Sequence, residues 1–255
     1  MRAKLSAGSS PLTIAKLSSA GEPLTPDLNE WAPSTLGSAI YDHFGQTEAG
    51  MIVNNHHHPA LCETLLPGSM GTAMPGWCVR IVDENSFSPL EIGEVGLLAV
   101  DMANSPLAWF GGYLGDQKKS AAKFSPDGRW YLTGDMARMD GKGHVYFSAR
   151  ADDVILMAGY RIGPFEIEST LNAHPLVQCS AAVGLPDDLR GERLEACVVL
   201  KKGACASQSL AEELQEWVKR RYAAHAYPRK IHFVSDLPMT PSGKMQRYKV
   251  RQNLI

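Results

Sequence analysis

The stretch SARADDVI, residues 148–155, leads into MAGYRIGP, residues 157–164, and separates two halves of different character. Before it the sequence is rich in loops and short apolar runs. After it helical and strand patterns alternate, beginning at Pro164, a residue well suited to the first turn of a helix. We therefore expect two domains, at residues 1–150 and 151–255.

The second half predicts a compact α+β domain of about 100 residues. Residues 164–173 have helical spacing with acids in the first turn. Runs rich in β-branched residues and alanine predict strands at 177–185, 194–200 and 231–234. Between the last two strands, Ser209 is expected to cap a helix with an apolar stripe at Leu210, Leu214, Trp217 and Val218. The basic tail after Lys244 predicts a short final helix.

The first half predicts a mixed or antiparallel sheet. Short strand-like runs bounded by Gly, Pro and Asp occur at residues 77–82, 95–100 and 145–147. Near the start, residues 12–17 predict an apolar strand that leads to a glycine turn at Gly21. The expected fold class for the whole chain is mixed α/β, of the α+β type.

Composition excludes several classes of protein. With 44% hydrophobic and 20% charged residues among 255, the chain is globular rather than disordered or fibrous. A net charge of −2 does not attract nucleic acid or an anionic membrane, and no apolar run is long enough to span a bilayer. The five widely spaced cysteines form no zinc pattern and suggest a reducing, cytoplasmic compartment. The serine-rich, acid-free first twenty residues have the composition of an organellar transit peptide, but a strand in a folded domain is the simpler interpretation.

Two segments place polar groups where a nucleotide could bind. In YDHFGQTE, residues 41–48, a strand is expected to end in a turn that presents the Thr47 hydroxyl and the Glu48 carboxylate. A hydroxyl can bond a phosphate oxygen, and a carboxylate is a suitable Mg²⁺ ligand. In WYLTGD, residues 130–135, an Asp after a Gly turn can accept bonds from both ribose hydroxyls. Each segment alone could be an ordinary polar turn.

Three further segments carry cations or glycine. Arg150 and Arg161 flank a glycine turn and offer forked donors for phosphate or ribose oxygens. In PMTPSGK, residues 238–244, Lys244 is a point charge that can reach a developing negative charge. In SAGEPL, residues 19–24, glycine permits close approach to a flat ligand. Each again has a plain alternative, such as a domain linker or a solvated lysine.

Taken together and in order, these segments resemble the adenylate-forming superfamily, which includes acyl-CoA synthetases, luciferases and peptide-synthetase adenylation domains. The resemblance runs from about residue 12 to the end of the chain. SAGEPL, FGQTEAG, ARADDVI, GYRIGPFEIE and PDDLRGE are most similar to medium-chain and acetyl-CoA synthetase-like enzymes.

The resemblance implies a role for each matching residue. ATP or AMP would be bound by Gly21, Glu22, Pro23, Asp42, His43, Phe44, Gly45, Gln46, Thr47, Asp135 and Arg150. Glu48 would hold Mg²⁺, and the catalytic groups would be Lys244, Thr47 and Glu48. Coenzyme A would meet Ala158, Gly159, Tyr160, Arg161 and Arg190, and Asp152 would be the hinge of a mobile C-terminal domain.

The implied activity is AMP-forming acid–CoA ligation, with ATP, CoA and a carboxylic acid as small-molecule partners. Acetate-specific relatives carry a Trp at the position of Gly45, so glycine in the acyl pocket implies a short- or medium-chain acid longer than acetate. An aryl-CoA or other acid–CoA ligase, and a non-catalytic nucleotide- or CoA-binding remnant, are the alternatives. The family's phosphate loop and most of its large domain are absent from these residues. We therefore expect the C-terminal part of a synthetase, unable alone to make acyl-CoA.

Overall fold

The computed structural model of the protein describes residues 14–24, 26–241 and 243–255. These residues form two compact units. Unit 1 extends to Thr133 and includes Ala137–Phe147, and unit 2 contains Gly134–Met136 and Ser148–Ile255. The chain thus passes from one unit to the other next to the stretch expected to hold the domain boundary, while the boundary at 150–151 stays a prediction.

Unit 1 begins with a four-stranded sheet in the order β1-β2-β3-β4. Its elements are β1 (Leu17–Ala20), α1 (Pro26–Leu36), β2 (Ile40–Gln46), β3 (Gly50–Asn54) and β4 (Thr72–Ala73). β1 and β2 are parallel, and α1 makes the crossover between them. Ala32 and Leu36, four residues apart on α1, are buried with Leu24 and Ile40.

The sequence did not predict α1, and it placed the first strand too early. β1 begins at Leu17 rather than at residue 12, and residues 12 and 13 lie outside the described part of the chain.

A second four-stranded sheet has the order β5-β6-β7-β8. Its strands are β5 (Val79–Val82), β6 (Val95–Asp101), β7 (Trp130–Met139) and β8 (Val145–Arg150), with the short helix α2 (Gln117–Ala121) before β7. The three predicted strands are therefore confirmed. The predicted turn at Gly134 is wrong, because Gly134 and Asp135 lie inside β7, where Gly134 takes a φ of +78°.

Unit 2 contains a five-stranded sheet with helices packed on it. Its elements are β9 (Ile155–Met157), β10 (Tyr160–Ile162), α3 (Pro164–Asn172), β11 (Val177–Asp187), β12 (Gly191–Leu200), α4 (Gln208–Arg221), β13 (Lys230–Phe233) and α5 (Arg247–Leu254). The mixed α/β class and the predicted order of helix, strand, strand, helix and strand are confirmed. The cap of α4 is Ser207 rather than Ser209, since the Ser207 Oγ accepts the Leu210 amide at 3.1 Å.

Within the described residues, no helix is both long and apolar enough to cross a membrane.

Gly45 lies at an irregularity in the pairing of β2 with β3. A Cβ built on Gly45 would meet the Gly50 carbonyl oxygen at 2.3 Å and the Met51 Cα at 2.8 Å. The φ of Gly45 is not positive, so close approach of two backbones, rather than a left-handed conformation, accounts for the glycine.

We therefore expect Gly45→Ala to lower the free energy of unfolding of the 255-residue chain by about 1–3 kcal/mol through overpacking. Gly141→Ala is the matched control, because a Cβ there would have nothing within 4 Å and its φ is not positive. Its effect should stay below about 0.5 kcal/mol in urea unfolding. Equal midpoints and slopes for the two variants would show that the close approach does not exist in solution.

Candidate functional site

Gln46 joins the two segments that the sequence singled out for nucleotide binding. As predicted, β2 ends at Gln46, and residues 47–49 turn into β3. The Gln46 Oε1 accepts a hydrogen bond from the Tyr131 hydroxyl at 2.8 Å, and its Nε2 donates to the Thr133 carbonyl at 2.8 Å. The Thr133 Oγ1 in turn donates to the Leu98 carbonyl of β6 at 2.7 Å. One side chain therefore holds the turn after β2 against the centre of β7.

Glu48 is oriented by a residue that the sequence analysis did not find. The Tyr113 hydroxyl donates to the Glu48 Oε1 at 2.5 Å. The backbone amide of Tyr113 donates to the Ser120 Oγ of α2 at 2.7 Å, and Lys119 lies over the Tyr113 ring. The bond from Tyr113 lowers the pKa of Glu48, partial burial opposes this, and Lys123 and Lys119 lower it further. Glu48 is thus ionised at neutral pH beside the exposed Thr47 hydroxyl.

An ionised carboxylate next to a hydroxyl fits Mg²⁺, a hard cation that prefers oxygen ligands. Among the described residues, no group of three or more His, Cys, Asp or Glu side chains could hold a metal ion. Any Mg²⁺ held by Glu48 would therefore need phosphate oxygens and waters as its other ligands, as is usual for this ion.

The predicted adenine segments also lie together in unit 1. Ala20 pairs with His43, which places Gly21, with a φ of +96°, at the end of β1 beside β2. Asp42 is buried and accepts hydrogen bonds from the backbone amides of His43 and Leu24. Glu22 and Pro23 lie in the chain between Gly21 and Leu24. Phe44 is partly buried and packs against the hydrophobic core of unit 1.

A cleft of about 230 Å³ opens beside Asp42. Its apolar walls include Leu24, Leu65 and Leu66, and its polar and charged groups are Asn29, Glu30, Asp42 and Ser69. A cleft that combines apolar walls with convergent polar groups can bind a small molecule. No pattern in the sequence indicated that residues 65–69 contribute to it.

In unit 2, Asp135 and Arg150 form the pair that the sequence suggested. The Arg150 Nη1 lies 3.1 Å from the Asp135 Oδ1, and its Nε lies 3.3 Å from Asp152. The Ala151 amide donates to the Gly134 carbonyl at 2.9 Å, which holds the two segments together. The buried Asp135 carboxylate is thus oriented by Arg150, while Asp152 is exposed.

The five residues predicted to meet coenzyme A form one surface of unit 2. Ala158 and Gly159, with φ of 52° and 83°, make the two-residue turn between β9 and β10, a geometry that requires two left-handed residues. Tyr160 and Arg161 follow in β10. The Ala158 amide donates to the Arg190 carbonyl at 2.8 Å, which brings Arg190 to the same turn. The Tyr160 ring stacks on His225, with centroids 4.1 Å apart, and His225 was not predicted.

Lys244 has an exposed side chain. Its amide donates to the Thr240 Oγ1 at 2.9 Å, and its carbonyl accepts the Thr240 amide at 2.8 Å. These two bonds hold the backbone at Thr240 and Lys244, so the reach expected for Lys244 must come from its side chain.

Comparison with known proteins shows which family the sequence matches. Residues 3–114 match the family described as AMP-binding enzyme, and residues 166–244 match the AMP-binding enzyme C-terminal domain. The chain belongs to the AMP-binding enzyme family. The first family model matches within the first half of the sequence, and the C-terminal-domain model matches within the second half.

Individual relatives of this family are similar over most of the chain. Acyl-coenzyme A synthetase ACSM3 of Homo sapiens is 42% identical, over 92% of this chain and 39% of its own length. The 4-hydroxybutyrate–CoA ligase 1 of Metallosphaera sedula is 41% identical, over 92% and 40%. ATP-bound MatB from Rhodopseudomonas palustris superposes with a TM-score of 0.82 at 31% identity, over 93% of this chain and 45% of that one. The chain thus spans about two fifths of the length of the curated relatives it matches.

The buried Asp42 gives a pH dependence with a definite sign. Burial raises its pKa to about 6 from 3.8, although two backbone amides oppose this. The folded state therefore holds the proton more tightly than the unfolded state, and Asp42 favours folding at low pH. That stability is present below pH 4 and is lost as the pH rises through 6.

We expect the free energy of unfolding of the wild-type chain to fall, relative to Asp42→Asn, by up to about 3 kcal/mol between pH 4 and pH 7. Urea unfolding followed by tryptophan fluorescence at several pH values measures this. Taking the difference between the two proteins removes the contribution of every other titrating group. Parallel pH profiles for the two proteins would contradict the assignment.

Proposed function

We propose that the full-length protein to which this chain belongs is an AMP-forming acyl-CoA synthetase. The observation that carries the proposal is the Gln46 bridge, which joins the carboxylate-bearing turn after β2 to β7. Such a bridge holds an Mg²⁺ ligand and a phosphate-binding hydroxyl on a rigid element, as adenylation requires.

In the first half-reaction, an oxygen of the substrate carboxylate attacks the α-phosphorus of ATP, and pyrophosphate leaves. The Lys244 ammonium stabilises the negative charge that develops. Gly21, Glu22, Pro23 and residues 42–47 surround the adenine and α-phosphate. The Asp135 carboxylate, oriented by Arg150, accepts hydrogen bonds from the ribose hydroxyls. Mg²⁺ held by Glu48 would neutralise phosphate charge during this step.

In the second half-reaction, the CoA sulfur loses its proton and attacks the acyl carbonyl, and AMP leaves. Ala158, Gly159 and Tyr160 face the pantetheine arm. Arg161 and Arg190 supply the positive charge that phosphates prefer. One site must therefore present Lys244 first and the 158–160 turn second. A turn about a hinge at Asp152 supplies this alternation.

The acid is proposed to be a short- or medium-chain fatty acid longer than acetate, because acetate-specific members of the family carry a Trp at the position of Gly45. Each further buried methylene contributes about 0.8 kcal/mol to binding. One relative is named for a four-carbon acid, 4-hydroxybutyrate. Because a side chain at Gly45 collides with β3, substrate preference is better tested on the wild-type protein. ATP–pyrophosphate exchange with acetate, butyrate, hexanoate, octanoate and benzoate separates fatty-acid, acetate and aryl specificity.

We place the protein in the cytoplasm, because its five cysteines are free, as in a reducing compartment. Several relatives are named as mitochondrial, which makes a mitochondrial location the alternative. Fluorescence microscopy of the tagged full-length protein distinguishes the two.

The role of Lys244 gives the sharpest test of the two-step scheme. In the full-length protein, Lys244→Ala should slow adenylate formation by roughly 10²–10³, as expected for loss of one preorganised charge. Thioester formation from supplied acyl-adenylate should persist, because Lys244 acts only in the first step. Lys202→Ala, at an exposed lysine outside the site, is the control and should leave both rates unchanged. An equal loss in both half-reactions would rule out the alternation.

A further inference from the structure

Lys244 is held within a closed turn, here called the lysine turn, of which the structure describes residues 239–241 and 243–245. Met239 and Met245 form an antiparallel bridge at its base, and Thr240 and Lys244 exchange two hydrogen bonds above it. The Gln246 amide donates to the Pro238 carbonyl at 2.9 Å. The next residue, Arg247, is the first of α5. Any displacement of the start of α5 is therefore transmitted to Lys244.

The start of α5 is fixed by a charged fork. The Arg247 Nε donates to the Glu168 Oε1 at 2.9 Å, and its Nη2 donates to the Glu168 Oε2 at 2.6 Å. Glu168 lies on α3, is only 6% exposed, and also accepts the Ala182 amide of β11 at 2.9 Å. Burial opposes the charge of Arg247, but Glu168 and then Asp153 hold its pKa above the ordinary value. The pair is therefore a bidentate ion pair with a fixed orientation.

The same guanidinium reaches the beginning of the segment that follows Asp152. The Arg247 Nη1 donates to the Asp153 Oδ2 at 3.2 Å. One side chain thus joins the lysine turn, α3 and the residue next to the proposed hinge. The lysine turn lies more than 60 residues along the chain from both α3 and Asp153.

The other anchor of α5 is apolar and less directional. Val250 packs in a buried cluster with Ala181, Val183, Leu185 and Cys197 of the sheet. The N-cap residue Gln246 makes no side-chain capping bond. Apolar packing tolerates small rotations and sliding, whereas a planar fork with three donors engaged does not. Arg247 therefore determines the register of α5, and with it the position of the lysine turn.

We infer that Arg247 is the positioning residue for Lys244, acting through Glu168 and Asp153. The inference rests on the proposed function, because it assigns a purpose to the position of Lys244. It makes a physical claim that holds whether or not that function is correct: the lysine turn loses order when the fork is removed and the rest of unit 2 keeps its structure.

Hydrogen exchange of the 255-residue chain tests the physical claim. Arg247→Met should raise the exchange rates of the Thr240, Gly243, Lys244 and Gln246 amides by at least about tenfold relative to amides of β11 and β12. Trp217→Phe is the control, since it removes the bond from the Trp217 Nε1 to the Thr170 carbonyl and alters the ring contacts with His174 and Arg221, none of which involves the lysine turn or Arg247. It should leave the lysine turn unaffected. An equal rise throughout unit 2, or no rise in the turn, would overturn the inference.

Two milder variants keep the test decisive if Arg247→Met does not fold. Arg247→Lys keeps the charge without the fork, and Asp153→Asn weakens only the third contact. Both should raise exchange in the lysine turn selectively, Arg247→Lys more than Asp153→Asn. Exchange in the turn equal to wild type for both variants would contradict the inference.

Half-reaction kinetics of the full-length protein separate positioning from general stability. Arg247→Lys should slow adenylate formation by about ten- to a hundredfold, while thioester formation from supplied acyl-adenylate changes by less than about twofold. A merely structural role would lower both rates together. Wild-type protein without either half-reaction would refute the proposed function, and the exchange measurement would still decide the role of Arg247.

Discussion

The candidate site depends on one neutral side chain. The Gln46 side-chain amide accepts a hydrogen bond from the Tyr131 hydroxyl and donates one to the backbone carbonyl of Thr133 in β7. Tyr131 is buried, and an unsatisfied hydroxyl there costs about 1–3 kcal/mol, which favours keeping all three groups together. With Gln46 fixed, the next two residues, Thr47 and Glu48, must leave β2 at a defined angle. Tyr113 then sets the Glu48 carboxylate.

Unit 2 uses charge for the same purpose. Arg150 orients Asp135, and Arg247 orients the turn that carries Lys244. Both arginines have a planar fork that binds carboxylates in a fixed geometry. The largely buried pair of Arg247 and Glu168 adds little net stability, but breaking it leaves an uncompensated charge. Their value here lies in position: each holds a group that the proposed reaction needs at a defined place.

Local patterns in the sequence predicted much of the fold. The spacing of apolar residues predicted the strands at residues 77–82, 95–100 and 145–147 and the helix at 164–173. Such spacing depends only on residues that are close in sequence. α1 was missed because Pro33 interrupts its helical pattern. The turn expected at Gly134 was wrong because a glycine with positive φ can also lie inside a strand, as Gly134 does in β7. Tyr113, His225 and Arg247 were missed for another reason: their partners are 65, 65 and 79 residues away, and no local pattern records such contacts.

The central claim is that Gln46 and Tyr131 act together, through their shared hydrogen bond, to position the adenylation site. A double-mutant cycle on the full-length protein tests it most directly, with kcat/KM for ATP in adenylate formation as the measured quantity. Gln46→Leu should cost about ten- to a hundredfold, and adding Tyr131→Phe should cost less than about twofold more, because the shared bond is already lost. Losses that multiply, or a Gln46→Leu variant as fast as wild type, would contradict the account.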